Sequence, residues 1–293
     1  LYVYLGSTFT QDGKLASAIK AHCDSKMAHL LKFVSFVSKN SDFPFWVKEK
    51  VMKAALFSSI FYSFESWLTG SVTQPEAQYM SAVKTLLGVR RTTPHLLCLI
   101  ELGYPSFKGI MRSTQKNCLS KLITERTGIE DDPFNLAWSL SQQAGSPCVR
   151  YIKHLVSQEG DILLDDLQES KHQIHTSEKT KLMTYWMCMN PKLKAPDIYS
   201  ANAGVPEYHR IAFTKMRLGS HSLAIEAGRW RHLPRDQRLC KCGEIETEEH
   251  VLTRCPQRAA FRKIYPYVTY ALPQMFKTGD FANVAGLCYD VLK

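Results

Sequence analysis

No stretch of eighteen apolar residues occurs in this chain, so no segment reads as a membrane-spanning helix, and none reads as a signal peptide. The richest apolar stretch, 47–68, is interrupted by Lys48, Glu49, Lys50, Lys53 and Glu65, the pattern of an amphipathic or buried helix. Alternation of Val, Ile and Thr with polar residues is scarce beyond the first few positions, which excludes a β-rich domain. Internal repeats and low-complexity tracts are missing. So are G-x-S-x-G, G-x-x-x-x-G-K-[ST] and H-E-x-x-H, and no other catalytic constellation replaces them. This chain is therefore not expected to act as an enzyme or to take a small-molecule substrate.

Acidic residues are in short supply: 27 Asp and Glu face 37 Lys and Arg, a net charge of +10. That balance points to an anionic partner, most often nucleic acid, RNA or DNA; no membrane partner is expected, because no apolar run is long enough to span one. Paired cysteine spacing is lacking for Cys23, Cys98, Cys118, Cys148, Cys188 and Cys288, six of an odd total of nine. Reduced thiols in a nuclear or cytoplasmic compartment follow, not a disulfide framework. With 293 residues and 45% hydrophobic content, the chain can bury the core of one large or two ordinary domains.

What is present is mostly helical punctuation. After a strand-like opening, Tyr2-Val3-Tyr4-Leu5-Gly6, and a turn at Gln11-Asp12-Gly13, an apolar stripe runs through Ile19, Cys23, Met27, Leu30, Leu31, Val34 and Val37. Ser41-Asp42-Phe43-Pro44 breaks that helix and primes a second, expected to reach Leu68 and end at Gly70. A third is expected from Pro75-Glu76 to Gly88, a short fourth from Thr93-Pro94 to Gly103, and a fifth from Ser106 to Arg126. Breakers gather over 128–147, the best candidate for a boundary. Short helices are expected again at 149–156, 163–169 and 177–189. The opening residues read as the continuation of something larger.

The chemistry concentrates near the end of the chain. Cys240-Lys241-Cys242, then His250, then Cys255 place three soft sulfurs and one imidazole within sixteen residues, the Cys₃His set of a closed, structural zinc site. Gly243 allows the tight turn after the second sulfur, His250 is expected on a helix begun by Thr247-Glu248-Glu249, and Cys255 at its end before Pro256. Glu248 or Glu249 is the carboxylate expected to orient the His250 ring. His232 is a weaker stand-in ligand.

Just before this cluster, 210–241 is the most basic stretch, with Arg210, Lys215, Arg217, Arg229, Arg231, Arg235, Arg238 and Lys241 against Glu226 and Asp236. Arginine and lysine neutralise phosphates, and an aromatic among them stacks on unpaired bases. Arg210, Lys215, Arg217, Arg229, Trp230, Arg231, Arg235 and Arg238 are the expected nucleic-acid contacts. For Trp230 a second reading stays open: packing inward beside Leu233, with the arginines facing solvent or pairing with the acidic run 244–249.

Taken in order, these residues resemble the C-terminal part of the polyprotein of non-LTR (LINE-type) retrotransposons. Tyr4-Leu5-Gly6 with Asp12-Gly13 is similar to the junction where the reverse-transcriptase palm ends and the thumb begins, and Phe64-Glu65-Ser66-Trp67 to the aromatic-x-Glu-x-Trp element of the thumb helices. Leu87-Gly88, Arg90-Arg91-Thr92-Thr93-Pro94 and Glu101-Leu102-Gly103 continue the pattern. Arg217-Leu218-Gly219-Ser220-His221 and the cysteine–histidine module resemble the family's basic segment and zinc knuckle.

The resemblance implies a mostly α fold. A thumb-like helical domain would span 1–127 (1–6 ending the palm strand), a helical linker 128–205, and the basic segment, knuckle and last helices 206–293. It implies one structural zinc ion and a grip on template RNA or target DNA in a ribonucleoprotein. The family's aromatic-x-Asp-Asp metal pair is missing. Asp131-Asp132 follows Glu130, and Asp165-Asp166 follows Leu164, neither in a strand-turn context. The alternatives are a catalytically dead protein-interaction module and the end of a full RNA-directed DNA polymerase.

Overall fold

Prolines and glycines set several of the helix ends. Pro44, Pro94 and Pro206 each stand immediately before the first residue of a helix, where a fixed φ and a missing N–H cost nothing. Gly88 (φ +72°) and Gly103 (φ +65°) end the helices before them in the left-handed conformation that side-chain-bearing residues resist.

A computed structural model describes residues 2–4, 7–67, 72–126, 132–143, 145–266, 268, 270–277 and 280–293. Leu5, Gly6, Gly70 and Asp131, on which sequence expectations rest, lie outside these residues, as do 127–130 and Ala144 of the breaker-rich stretch.

The chain is mostly helical. A small hairpin, β1 (Tyr2–Tyr4) and β2 (Ser7–Phe9), pairs antiparallel with Val3 opposite Thr8. Then follow α1 (Leu15–Lys39), α2 (Phe45–Val51), α3 (Ser58–Ile60), α4 (Thr73–Leu87), α5 (His95–Leu102), α6 (Phe107–Arg126), α7 (Pro133–Gln143) and α8 (Pro147–Ser157). The order continues with α9 (Ile162–His175), α10 (Thr180–Thr184), α11 (Glu207–Arg217), α12 (Ala224–Trp230), α13 (Ala259–Ile264), α14 (Leu272–Met275) and α15 (Phe281–Leu292). The helix expected to run to Leu68 does not. It widens into a π-helix at Met52–Phe57, stops after Ile60, and turns at Ser63 (φ +62°) into a single 3₁₀ turn, Phe64–Ser66. The bend keeps four large aromatics within eleven residues in ring contact, Phe57 with Phe61 at 4.9 Å, Phe61 with Phe64 at 5.3 Å and Phe64 with Trp67 at 6.3 Å. The stretch 128–147 is not wholly irregular, because α7 occupies most of it.

Two compact units form, and each draws on three separate stretches. This differs from the consecutive segments expected with cuts at 127 and 205. The first unit comprises Leu1–Lys32, Lys53–Tyr79 and Pro105–Glu169. Its core is aromatic: Phe61 lies 5.3 Å from Phe64 and 5.4 Å from Phe107, ring centre to ring centre, and Tyr79 lies 5.9 Å from Phe61. Two buried polar side chains bond locally, His22 to the Ile60 carbonyl at 3.0 Å and Gln78 as donor to the Cys23 carbonyl at 2.7 Å. Asp166 accepts from the Ser106 amide (2.7 Å) and hydroxyl (2.6 Å) just before α6.

The second unit comprises Phe33–Met52, Met80–Tyr104 and Ser170–Lys293. Helices α11 and α15 pack against one another, with Phe213 meeting Phe276 at 5.4 Å and Phe281 at 5.9 Å. Beside them sits a polar network of unusual depth. Arg217 makes two bonds to Glu101, at 2.8 and 2.9 Å, and the hydroxyls of Tyr185 and Tyr199 donate to the same carboxylate at 2.7 and 3.0 Å. Arg217 also donates to the Met189 carbonyl. Glu207 is gripped by Lys48 (3.0 Å) and Arg210 (2.7 Å), and Arg210 also donates to the Leu86 and Leu87 carbonyls. Burial of these charges is tolerable only because each has an opposite charge and further hydrogen bonds.

Candidate metal centre

The metal site begins as a short hairpin. Leu239 bridges antiparallel to Ile245, the Cys240 amide donates to the Glu244 carbonyl at 2.7 Å, and the Gly243 amide closes on the Cys240 carbonyl at 2.9 Å. Gly243 takes φ +93°, so the turn depends on glycine there. The second half is a π-helix, His250–Arg254, entered through the Thr247 hydroxyl, which accepts from the His250 amide at 3.1 Å. The Cys255 amide donates to the His250 carbonyl at 2.8 Å. An α-helix turns about 100° per residue, so it would set His250 and Cys255 roughly 140° apart. The wider i→i+5 turn reduces that angle and lets both side chains serve one site.

The four candidate ligand atoms lie within 4.8 Å of one another. Cys242 Sγ is 3.1 Å from His250 Nε2, Cys240 Sγ is 3.6 Å from Cys255 Sγ, and Cys255 Sγ is 4.0 Å from Cys242 Sγ. A tetrahedral ion with metal–sulfur bonds of about 2.3 Å spaces its sulfur ligands about 3.8 Å apart, so the donor set fits. A disulfide needs sulfurs about 2 Å apart, and none of the nine cysteines forms one. Cys240, His250 and Cys255 are buried and Cys242 is half-buried. Burial pushes the Cys240 thiol up to about 11, while the Glu244 amide holds the Cys242 thiol below its ordinary value. A bound cation would favour the thiolate form that metal ligation requires.

The carboxylate nearest the His250 ring is Glu244, not Glu248 or Glu249. Its Oε2 stands 3.0 Å from Nδ1, although without the alignment of a hydrogen bond. Glu248 is engaged elsewhere, 3.0 Å from His221 Nε2. His232 is exposed, outside the ligand group, at a turn with φ +54°.

Two of the eight expected nucleic-acid contacts are corrected outright. Arg210 and Arg217 are 1% and 3% exposed and lie in the buried networks described above, where no phosphate reaches them. The sequence carried the signal: Arg210, Phe213, Thr214 and Arg217 fall at i, i+3, i+4 and i+7, the core-facing stripe of α11. Arg229 pairs with Glu226 at 2.8 Å, and Arg238 folds back onto the Leu233 and Ile225 carbonyls. Arg231 and Arg235 are exposed, as is Lys241, while Lys215 is half-buried. Trp230 is 49% exposed and does not pack inward; the guanidinium of Arg90 lies 3.6 Å from its ring centre. Arg90 comes from the turn after α4, far from the basic stretch, and spacing within that stretch could not have revealed it.

No protein-family model, curated protein or solved structure matches this chain. Among the described residues no helix is long and apolar enough to cross a membrane.

Proposed function

We propose that this chain is the nucleic-acid-binding, C-terminal part of a LINE-type reverse transcriptase: thumb-like helices, helical linker and knuckle, with one structural zinc ion and no polymerase centre of its own. The observation that carries the reading is the Cys₃His group closing directly after a segment whose Arg231, Arg235 and Lys241 are exposed. Cys240, Cys242, His250 and Cys255 would hold the zinc. Four protein ligands leave no position for water, so the metal would hold the hairpin and the π-helical segment together and perform no reaction. Exposed cations on that frame would neutralise phosphates without reading sequence. The Asp165-Asp166 pair lies on α9, with Asp166 taken up by Ser106, which supports a role without two-metal phosphoryl transfer for these residues.

The test is metal analysis of the purified chain with fluorescence anisotropy against single-stranded RNA and duplex DNA at several salt concentrations. One zinc per chain, and affinity falling steeply as salt rises, are expected. Zinc with no nucleic-acid binding would refute the nucleic-acid role and favour a protein-interaction module. No zinc would refute the metal centre.

A further inference from the structure

In the second unit, a cavity of about 300 Å³ that includes none of the metal ligands is lined by Gly88, Val89, Arg90, Lys215, Ser220, His221, Ser222 and Leu292. Three of these carry or can carry positive charge, and none of the described lining residues is acidic. The Lys215 ammonium makes no hydrogen bond or ion pair among the described residues, although its backbone carbonyl accepts from the Ser220 amide at 2.8 Å. Burial depresses its ammonium, and the neighbouring Arg90 and Arg210 charges depress it further. Arg90 keeps a buried Nη1 without a partner, while Trp230 stacks on its guanidinium and fixes the plane of the fork. His221 is 2% exposed; Glu248 occupies its Nε2, and its Nδ1 has no partner. The one nearby carboxylate that acts on Arg90, Glu226, is already held by Lys181 at 3.2 Å and Arg229 at 2.8 Å.

Crowded like charges and orphaned buried donors are costly unless something of opposite sign joins them. A compact, multivalent oxygen acceptor would satisfy all of them at once. The unpartnered Nδ1 of His221 would turn to such a ligand while Nε2 stays on Glu248. Ser222 is exposed at the rim and adds a hydroxyl.

We propose that this cavity is a phosphate socket, in which Arg90, Lys215 and His221 hold one backbone phosphate of a bound nucleic-acid strand. The inference rests on the nucleic-acid reading above for the source of the phosphate, but not for the socket itself.

The test uses the full chain and Lys215→Met, which removes one unpaired charge and no hydrogen bond. Thermal melts are taken in inorganic phosphate and in sodium chloride of equal ionic strength, and RNA binding is measured by anisotropy, with the exposed Arg231→Gln as a comparison. The expected result is that phosphate raises the melting temperature of the wild type more than chloride does. Lys215→Met should melt no lower than wild type in chloride, lose the phosphate effect, and bind RNA about tenfold more weakly. Equal effects of phosphate and chloride on the wild type, or an undiminished phosphate effect in Lys215→Met, would overturn the socket. A lost phosphate effect with unchanged RNA affinity would overturn the strand as its source and assign the socket to a free phosphate. A wild type that responds to phosphate but binds no RNA would leave the socket standing and bring down the nucleic-acid reading instead.

Discussion

Arg217 and Glu101, 116 residues apart, meet through two hydrogen bonds with side chains 2% and 0% exposed. Both belong to motifs that carry the family resemblance separately, Glu101-Leu102-Gly103 and Arg217-Leu218-Gly219-Ser220-His221. In the fold they are the two halves of one buried device, with Tyr185 and Tyr199 completing the carboxylate's shell. Replacing Arg217 by Met should cost about 3–5 kcal/mol in urea unfolding, because Glu101 is left charged and unpaired. Adding Glu101→Gln should recover part of that loss, since the amide oxygen still accepts from the tyrosines but carries no charge. A double variant no more stable than Arg217→Met would contradict this account.

The same reasoning separates buried from reachable arginines. Arg231→Gln and Arg235→Gln should leave the melting temperature nearly unchanged, weaken RNA binding, and each lower the slope of log affinity against log salt by roughly one. Arg210→Gln should do the opposite: lower stability, because Glu207 loses a partner, and leave the salt slope of the folded protein alone. Salt titrations beside thermal melts distinguish the two groups.

At the metal centre, Glu244→Gln should weaken zinc affinity by about 10- to 100-fold, as loss of a carboxylate beside a ligating imidazole does. Glu248→Gln should leave zinc affinity near wild type and act through His221 instead. Competition with a chromogenic chelator measures both. Cys242→Ser should lose the metal and the cooperative melt of the second unit, because ligand binding and local folding are one equilibrium.

Two buried thiols make an alkaline prediction. Burial pushes Cys23 up to about 11 and Cys98 up to about 12, from an ordinary value of 9.0. The unfolded chain therefore releases these protons at lower pH than the folded chain. Their effect on stability is absent below about pH 9, grows unfavourable from there, and levels off above about 11 for Cys23 and about 12 for Cys98. Urea melts from pH 8 to 11 should show a decline that Cys23→Ala with Cys98→Ala makes shallower. Native alkylation at pH 8 should spare both residues.

Local chemistry made much of this protein legible in sequence. Helix ends at Pro44, Gly88, Pro94 and Gly103 follow from φ restrictions that act within a few residues. The ligand set Cys240, Cys242, His250 and Cys255 was legible for the same reason, since all four fall within sixteen residues and one turn plus one helix brings them together. Tertiary structure alone decided the rest. Which arginines are buried depends on the carboxylates they meet, Glu101 for Arg217 and Glu207 for Arg210, and charge counted along a chain carries no information about partners across it. Arg90 reached Trp230, and Glu244 displaced Glu248 beside His250, through contacts set by packing. The division into two units, each from three stretches, arose likewise, because contact energy favours neighbours in space over neighbours in sequence.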